Sequence, residues 1–412
     1  MSPQAFKAPR GTFDILPDGA ARRAEVERVA REVLETAGYG RIETPTFEST
    51  DVFTRTVGEA TDIVQKEMYT FADGGGRSLT LRPEGTAPVC RAYVEHGMHK
   101  LPAPVKLYYL SSFFRYERAQ AGRYRQFWQV GAETLGSHDP ATDAESIVLA
   151  HTVLDRLGAR GLRLRLASLG TPDARVDYRA ELQDYLRGRE DELSAEVRAR
   201  IELNPLRAFD AGDPATRRVM AGAPRLLDRL SADDARHFEE VKALLGAAGL
   251  GYELDPTLVR GIDYYTRTLF EFSSDALGAQ SGVGGGGRYD GLVEALGGPP
   301  TPGIGWAAGV ERILLAAGAP PPAAPAVDLY VAHEDAARRE AFGTLLDARR
   351  AGLHAQMETT GRSLKGQLKH AERLGARYVA IVGPDGIQLK DARAATQEPV
   401  SAGQLIERLV AT

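Results

Sequence analysis

The chain has 412 residues, with 51 Lys and Arg against 56 Asp and Glu and a formal net charge of −5. That balance excludes a chain that is basic throughout, the mark of a wholesale nucleic-acid binder, and leaves room for a local basic patch. The length predicts two or three domains, and a single cysteine, Cys90, excludes an intramolecular disulfide framework and any multi-cysteine metal site.

The opening MSPQAFKAPRG carries no apolar signal core. No later run approaches the roughly 18 apolar residues of a membrane span. With one cysteine, this predicts a cytoplasmic protein without a membrane partner. PRGTFDILP is a Pro- and Gly-bounded extended entry. Asp18 is then predicted to cap a helix in which Val26, Val29, Val33 and Ala37 recur at helical spacing, ended by Gly38 and Gly40. RIETPTFE is predicted as a short strand containing Pro45, hence an edge or a subunit boundary.

MYTFAD, GGGR and SLTLRPEGT read as strand, glycine turn and strand. PVKLYYLSSFFRYE is a long β-type run, RAQAGRYRQ a loop, QFWQVGAETLG a second strand, and residues 140–158 a helix. Residues 171–250 are rich in Arg, Asp, Glu, Ala and Leu at helical spacing and predict a helical insertion. The strand pattern returns over 254–272, followed by the glycine run SGVGGGGRYDGL and a glycine-spaced helix, GIGWAAGVERILLAAG. A Pro/Ala linker covers 319–326. Beyond it VDLYVAH, GLHAQMET and RYVAIVG alternate with helices as a small α/β domain with a partly parallel sheet.

The fold predicted is therefore α+β: an antiparallel sheet flanked by helices over residues 1–170 and 251–318, a helical insertion over 171–250, the linker, and a C-terminal α/β domain over 327–412.

Five stretches could carry chemistry. On the strand QFWQVGAETLG, Phe127, Gln129, Gly131 and Glu133 share one face; Arg115 and Glu117 end the preceding strand, and Arg118, Arg123 and Arg125 fill the loop between. Arginines beside an aromatic ring suit a nucleotide; a solvated hairpin with surface ion pairs is the plainer reading. Arg260, in TLVRGIDYYTRTLFEF, must be partnered if buried, by an anionic ligand or by Asp263 or Glu271. LRPEGT sets Glu84, Gly85 and Thr86 in a turn that could hold an ammonium group or merely start a helix. The run GVGGGGRYDGL satisfies G-x-G-x-x-G trivially and lacks the acidic residue of a dinucleotide site. Arg312 lies one turn past Gly305 and Gly309 on the predicted helix, aimed at a nucleotide or at solvent.

His96 and His99 read as a solvated helix end, so no metal site is expected. No G-x-S-x-G or H-E-x-x-H occurs, which leaves no covalent nucleophile indicated, and Cys90 reads as core. In the tail Lys365, Lys369, Arg373 and Arg377 recur every four residues as a basic stripe, fitting a phosphate backbone or a solvated helix face.

Taken in order, the Pro45 segment, LRPEGT, FRYERAQAGRYRQFWQVGAE, RGIDYYTRTLFEF, GGGGRYDGL and GIGWAAGVERILL resemble the histidyl-tRNA synthetase family of class II aminoacyl-tRNA synthetases. The resemblance runs from PRGTFDILP to the C-terminus and is weakest over 171–250. It implies a class II catalytic domain, a helical insertion and an anticodon-binding tail. It further implies a homodimer joined through the Pro45 segment, with ATP (carrying Mg²⁺), histidine and tRNA(His) as ligands. By the same resemblance Arg115 and Arg260 are the catalytic arginines on the α-phosphate, Arg115 also meeting the substrate carboxylate. Glu84, Gly85, Thr86 and Gln129 hold the ammonium group. Glu133 with Tyr264 or Tyr265 reads the imidazole. Phe127 and Arg312 enclose adenine, with Glu117 and Arg123 nearby, and Lys365, Lys369 and Arg373 face tRNA. Ala119 stands where the family usually has proline, and Thr266 where members vary. The competing reading is the synthetase-like, histidine-binding regulatory subunit of ATP phosphoribosyltransferase, which typically lacks the tail and degrades the arginine segment; both are present here. A dinucleotide enzyme resting on the glycine run is more remote.

Overall fold

The computed structural model describes residues 5–58, 61–278, 281–318 and 327–411. The chain divides into Met1–Pro320 and Pro321–Thr412; the linker expected over 319–326 lies outside the described residues.

In the first unit, α1 (Pro17–Thr36) starts with proline, whose missing N–H costs nothing there. Its N-cap is Leu16. Asp18 does not cap it, as expected from sequence, but lies in the first turn, where its charge complements the helix dipole. Pro45 falls between β1 (Gly40–Arg41) and β2 (Phe47–Ser49), not inside a strand, since it has no N–H to give a ladder. After α2 (Thr50–Val57), β3 (Tyr69–Ala72) and β4 (Ser78–Leu81) form the predicted hairpin and join β2 in a three-stranded sheet. Then come α3 (Thr86–Glu95), β5 (Val105–Phe114), β6 (Gln126–Leu135), α4 (Pro140–Arg156) and β7 (Leu162–Ser168). The helices α5 (Arg175–Arg187), α6 (Ala195–Arg198), α7 (Pro214–Ala221) and α8 (Ala232–Ala247) follow. The unit continues with β8 (Glu253–Leu254), β9 (Thr266–Ser274), β10 (Gly282–Arg288), α9 (Leu292–Ala295), β11 (Gly303–Gly309) and α10 (Val310–Ala317).

The large sheet runs β1-β5-β6-β11-β10-β9-β7-β8. Its central ladders are antiparallel, and only the end pairs β1–β5 and β7–β8 are parallel. One side of it is covered by α1, α4, α8 and α10, which bury Val29, Val33, Ile147, Val153, Phe238, Val241 and Ile313 against Val130, Ala132, Phe270 and Trp306.

Three further expectations need correction, and the glycine run, given no element from sequence, takes one. The strand predicted over 254–272 is split, because 255–265 leaves the sheet as a loop carrying Arg260 to Tyr265. The glycine run is itself a central strand, β10, held by ladders on both sides. The glycine-spaced helix over 303–318 is a strand for its first half, β11, so Gly305 sits in the sheet and only Arg312 is helical. The insertion is shorter than 171–250: Tyr178, Leu182, Leu186, Val197, Ile201, Val219 and Leu226 pack in a second cluster with Leu258, Tyr265 and Leu269, while the apolar face of α8 belongs to the main core.

In the second unit β12 (Leu329–His333), α11 (Arg338–Arg350), β13 (Ala355–Met357), α12 (Leu364–Arg373) and β14 (Tyr378–Gly383) build the predicted parallel part. The sequence reading missed β15 (Gly386–Asp391) and β16 (Thr396–Val400), which extend the sheet antiparallel before α13 (Ala402–Val410). Their sequences, GIQLKD and TQEPV, are polar and short and offer little apolar signal. Lys365, Lys369 and Arg373 are exposed on α12; Arg377 lies past the helix end, over the Tyr378 ring, and leaves the stripe. Among the described residues no helix is long and apolar enough to cross a membrane.

Candidate active site

Two cavities meet on the open side of the large sheet. The deeper one is lined by Glu84, Gly85, Thr86, Tyr109, Tyr264, Tyr265, Tyr289 and Gly305; the shallower by Glu117, Arg123, Phe127, Glu271 and Arg312. Arg115, Gln129 and Arg260 line both. Strand parity makes the junction: Gln129 and Glu133 of β6 point to the same side, and Gly131 between them makes room for the Tyr109 ring, 2.4 Å from where a Cβ would sit.

The deep cavity is acidic at its floor. Glu133 is fully buried and accepts hydrogen bonds from Thr86 Oγ1 at 2.8 Å, Tyr109 Oη at 3.3 Å and Tyr289 Oη at 2.7 Å. Gly305, its neighbour across the β6–β11 ladder, is required there: a Cβ at that position would lie 1.7 Å from Glu133 Oε2. Glu84 accepts from the backbone N–H of Thr86 at 2.7 Å and of Ala87 at 2.9 Å, so it also ties down the start of α3. Tyr264 Oη donates to Glu84 Oε2, the oxygen that also accepts from Thr86 N, at 3.3 Å. Burial pushes both carboxyls up, Glu84 in direction and Glu133 to about 8. Gln129 Oε1 is buried with no hydrogen-bond partner among the described residues, an acceptor that a donor from a ligand would satisfy.

The shallow cavity is basic. Arg115 is fixed by Nε donating to Pro83 O at 2.8 Å, with its guanidinium 5.5 Å from the Phe127 ring centroid. Glu117 lies 3.8 Å from Arg115 and 3.5 Å from Arg123. Arg312 donates to Gly282 O. Arg260 pairs with Glu271 at 2.6 Å, the protein partner that its sequence left open, and Glu271 in turn holds Arg165. Arg125, grouped with the loop arginines from sequence, is instead a strut: its backbone N–H donates to Gly11 O at 2.7 Å and its guanidinium covers the Tyr116 ring at 3.8 Å.

The structure thus brings together Glu84, Gly85, Thr86, Arg115, Glu117, Arg123, Phe127, Gln129, Glu133, Arg260, Tyr264, Tyr265 and Arg312. Of the two tyrosines, Tyr264 meets the polar floor, while Tyr265 also packs into the insertion cluster. Tyr109 and Tyr289 were not singled out from sequence, and Gly305 was read only as part of a helix face. Tyr109 could have been, since it opposes Gly131 in the β5–β6 register. Tyr289 has no such signal, because the strand character of the glycines before it is invisible in composition.

Comparison with known proteins agrees with this geometry. A sequence profile of the family described as histidyl-tRNA synthetase matches residues 11–313. The histidine–tRNA ligase of Desulforudis audaxviator is 51% identical over 411 residues, covering 97% of each chain, and that of Desulforamulus reducens is 48% identical over 407 residues, again covering 97% of each. Among solved structures, apo histidyl-tRNA synthetase of S. aureus superposes with a TM-score of 0.83 at 36% identity, covering 98% of this chain and 100% of that one. A Bacillus halodurans C protein described as an ATP phosphoribosyltransferase regulatory subunit/histidyl-tRNA synthetase shares the fold at 22% identity and a TM-score of 0.66, over 90% of this chain and 97% of that one. A profile match over most of the chain and half-identical relatives of matching length, on a site with an acidic pocket opening into an arginine-lined cleft, show that the chain belongs to the histidyl-tRNA synthetase family.

Proposed function

We propose that the chain is a histidine–tRNA ligase: it condenses histidine with ATP to histidyl-adenylate, releasing pyrophosphate, and passes the histidyl group to the 3′-terminal adenosine of tRNA(His). The observation that carries this reading is the junction. A pocket lined by the Glu84 carboxyl and an orphaned amide oxygen, with the Glu133 carboxyl buried behind its wall, suits an ammonium group and an imidazole. It opens, past Arg115 and Arg260, into a cleft of guanidiniums and an aromatic ring that suits ATP. The substrate carboxylate then lies beside the α-phosphate.

The chemistry asks little of the protein beyond placement. A histidine carboxylate oxygen attacks the α-phosphorus in line, a new P–O bond forms, and the bond to the bridging oxygen of pyrophosphate breaks. Arg115 and Arg260 neutralise the charge that builds on the phosphoryl oxygens. Glu84 and Gln129 hold the ammonium; Glu133 with Tyr264 reads the ring. Phe127 and Arg312 take the adenine, with Arg123 and Glu117 on the nucleotide. Mg²⁺ would accompany ATP as part of the substrate.

The exposed row of Lys365, Lys369 and Arg373 on α12 supports tRNA contact by the second unit. Homodimer formation is supported by the β2-β4-β3 sheet, where Phe47 and Phe71 are 49% and 43% exposed with rings 6.1 Å apart. The reaction belongs where translation runs, in the cytoplasm. The regulatory-subunit reading needs neither Arg260 nor the second unit.

ATP–pyrophosphate exchange, measured without tRNA and with each amino acid in turn, tests the reading. Exchange with histidine alone, abolished in Arg260→Ala with an unchanged thermal melt, is expected. Histidine binding without exchange would favour the regulatory subunit.

A further inference from the structure

Glu133 is described above as a reader of the ring, yet most of its hydrogen-bonding capacity is already committed to the protein. An ionised carboxylate offers about four lone-pair positions. Thr86, Tyr109 and Tyr289 fill three of them, from α3, β5 and the corner after β10, and the Tyr289 bond is the shortest at 2.7 Å.

Tyr289 cannot readily look elsewhere. Its backbone N–H donates to Gly303 O at 2.8 Å, and a Cβ on Gly303 would lie 2.2 Å from its ring. Its neighbours are pinned as well. Arg288, with no exposed surface, donates to Asp143 and to Ser137 O, and Asp290 Oδ1 accepts from Gly303 N at 3.1 Å. The hydroxyl is therefore aimed at Glu133 by a corner whose other side chains, Arg288 and Asp290, do not line the cavity.

We propose that Tyr289 is a positioning residue that sets the specificity of the pocket: with Thr86 and Tyr109 it fixes the Glu133 carboxyl and leaves one acceptor position for a single imidazole N–H. This rests on the histidine reading given above. Other titratable groups face Glu133 from each packed element: Glu84 from the turn before α3, Cys90 on α3, Tyr109 on β5, and Tyr264 and Tyr265 on the 255–265 loop. Burial first, and Glu84 after it, opposes ionisation of Glu133, whereas the three hydroxyls favour it. Removing one hydroxyl must shift the balance toward the protonated acid, which no longer accepts freely.

The test is the pH dependence of the histidine KM in pyrophosphate exchange, for the unmutated chain, Tyr289→Phe and Tyr109→Phe. In Tyr289→Phe the acid limb should move to higher pH by on the order of one unit, and the histidine KM at neutral pH should rise about tenfold. The ATP KM and kcat should stay within about threefold. Tyr109→Phe, which loses a longer bond, should shift the same limb less, and it keeps the test open if Tyr289→Phe folds poorly. A limb that stays in place while both KM values rise would assign the tyrosines a merely structural role and overturn the proposal. Absence of histidine-dependent exchange in the unmutated chain would instead overturn the histidine reading, and the proposal with it.

Discussion

The corner that carries Tyr289 depends on a buried ion pair, and its energetics can be measured directly. Asp143, at the start of α4, accepts from Thr268 Oγ1 at 2.6 Å, from His237 Nε2 at 2.9 Å and from the Arg288 guanidinium, whose Nε is 3.1 Å away. Neither Asp143 nor Arg288 has any exposed side-chain surface. Burial alone would raise the Asp143 carboxyl, but the His237 bond and the Arg288 charge outweigh it and hold the group below the usual carboxylate range. Asp143→Asn strands a buried guanidinium with only a 3.3 Å contact to Asp290 for charge, which should cost about 3–5 kcal/mol. Replacing both partners, as Asp143→Leu with Arg288→Met, should recover most of that loss, so the double-mutant cycle should show coupling of about 3 kcal/mol. The assay is urea unfolding followed by tryptophan fluorescence. The chain's two tryptophans, Trp128 and Trp306, both lie in the large sheet, so the signal reports the first unit alone. A single-variant loss below about 1 kcal/mol, or a cycle that closes additively, would refute the view that this pair anchors the corner.

Two further outcomes follow from Glu133 and its neighbour. Gly305→Ala drives a Cβ against Glu133 Oε2 and toward Ala132 O, 2.7 Å away, and should cost about 1–3 kcal/mol while raising the histidine KM far more than the ATP KM; equal effects on both would contradict the assigned pocket. Glu133→Gln should abolish exchange yet stabilise the fold in a pH-dependent way. The carboxyl moves from an ordinary 4.5 to about 8, so the native state loses stability as pH rises between those values, by at most about 5 kcal/mol, and the variant should not. A stability gain that does not grow from pH 5 to pH 8.5 would refute that assignment. In the second unit, Lys365→Glu with Lys369→Glu should raise the tRNA KM in charging and flatten its salt dependence, leaving exchange untouched.

The site was more legible than the fold around it, and the reason is local. Alternation along β6 put Phe127, Gln129 and Glu133 on one face from sequence, because strand parity survives whatever the strand pairs with. Glu84 and Arg260 were readable as polar groups that needed partners, though not which partner would win. Where the reading failed, glycine was usually involved. Gly282–Arg288 and Gly303–Gly309 are central strands, but glycine has low strand propensity, and its regular spacing in the second mimics a helix face. Those strands are specified from outside: by the ladders of β9 and β6, and by side chains such as Tyr289 and Glu133 that occupy the space a Cβ would take. Helix α8 failed for the opposite reason. Its own pattern is an ordinary amphipathic helix, and nothing in it says that its apolar face meets α4 rather than the insertion.

The same logic explains why the arginines of the cleft are each already held by the protein. Arg115 is tied to Pro83 O, Arg260 to Glu271, and Arg312 to Gly282 O. A free guanidinium would lose rotamer freedom on meeting a phosphate, and that loss would weaken either binding or the transition state. Held in place during folding, each can meet charge as it develops without reorganising. The attachments differ in consequence. Arg115 and Arg312 are held by carbonyls, Arg115 with Glu117 at 3.8 Å besides, whereas Glu271 pairs with Arg260 at 2.6 Å and itself shares Arg165. Arg260 thus carries a close carboxylate that tempers its net field. Its contribution should depend on geometry at the α-phosphate more than on long-range attraction, so a lysine there, which keeps the charge but loses the planar fork, should not restore activity.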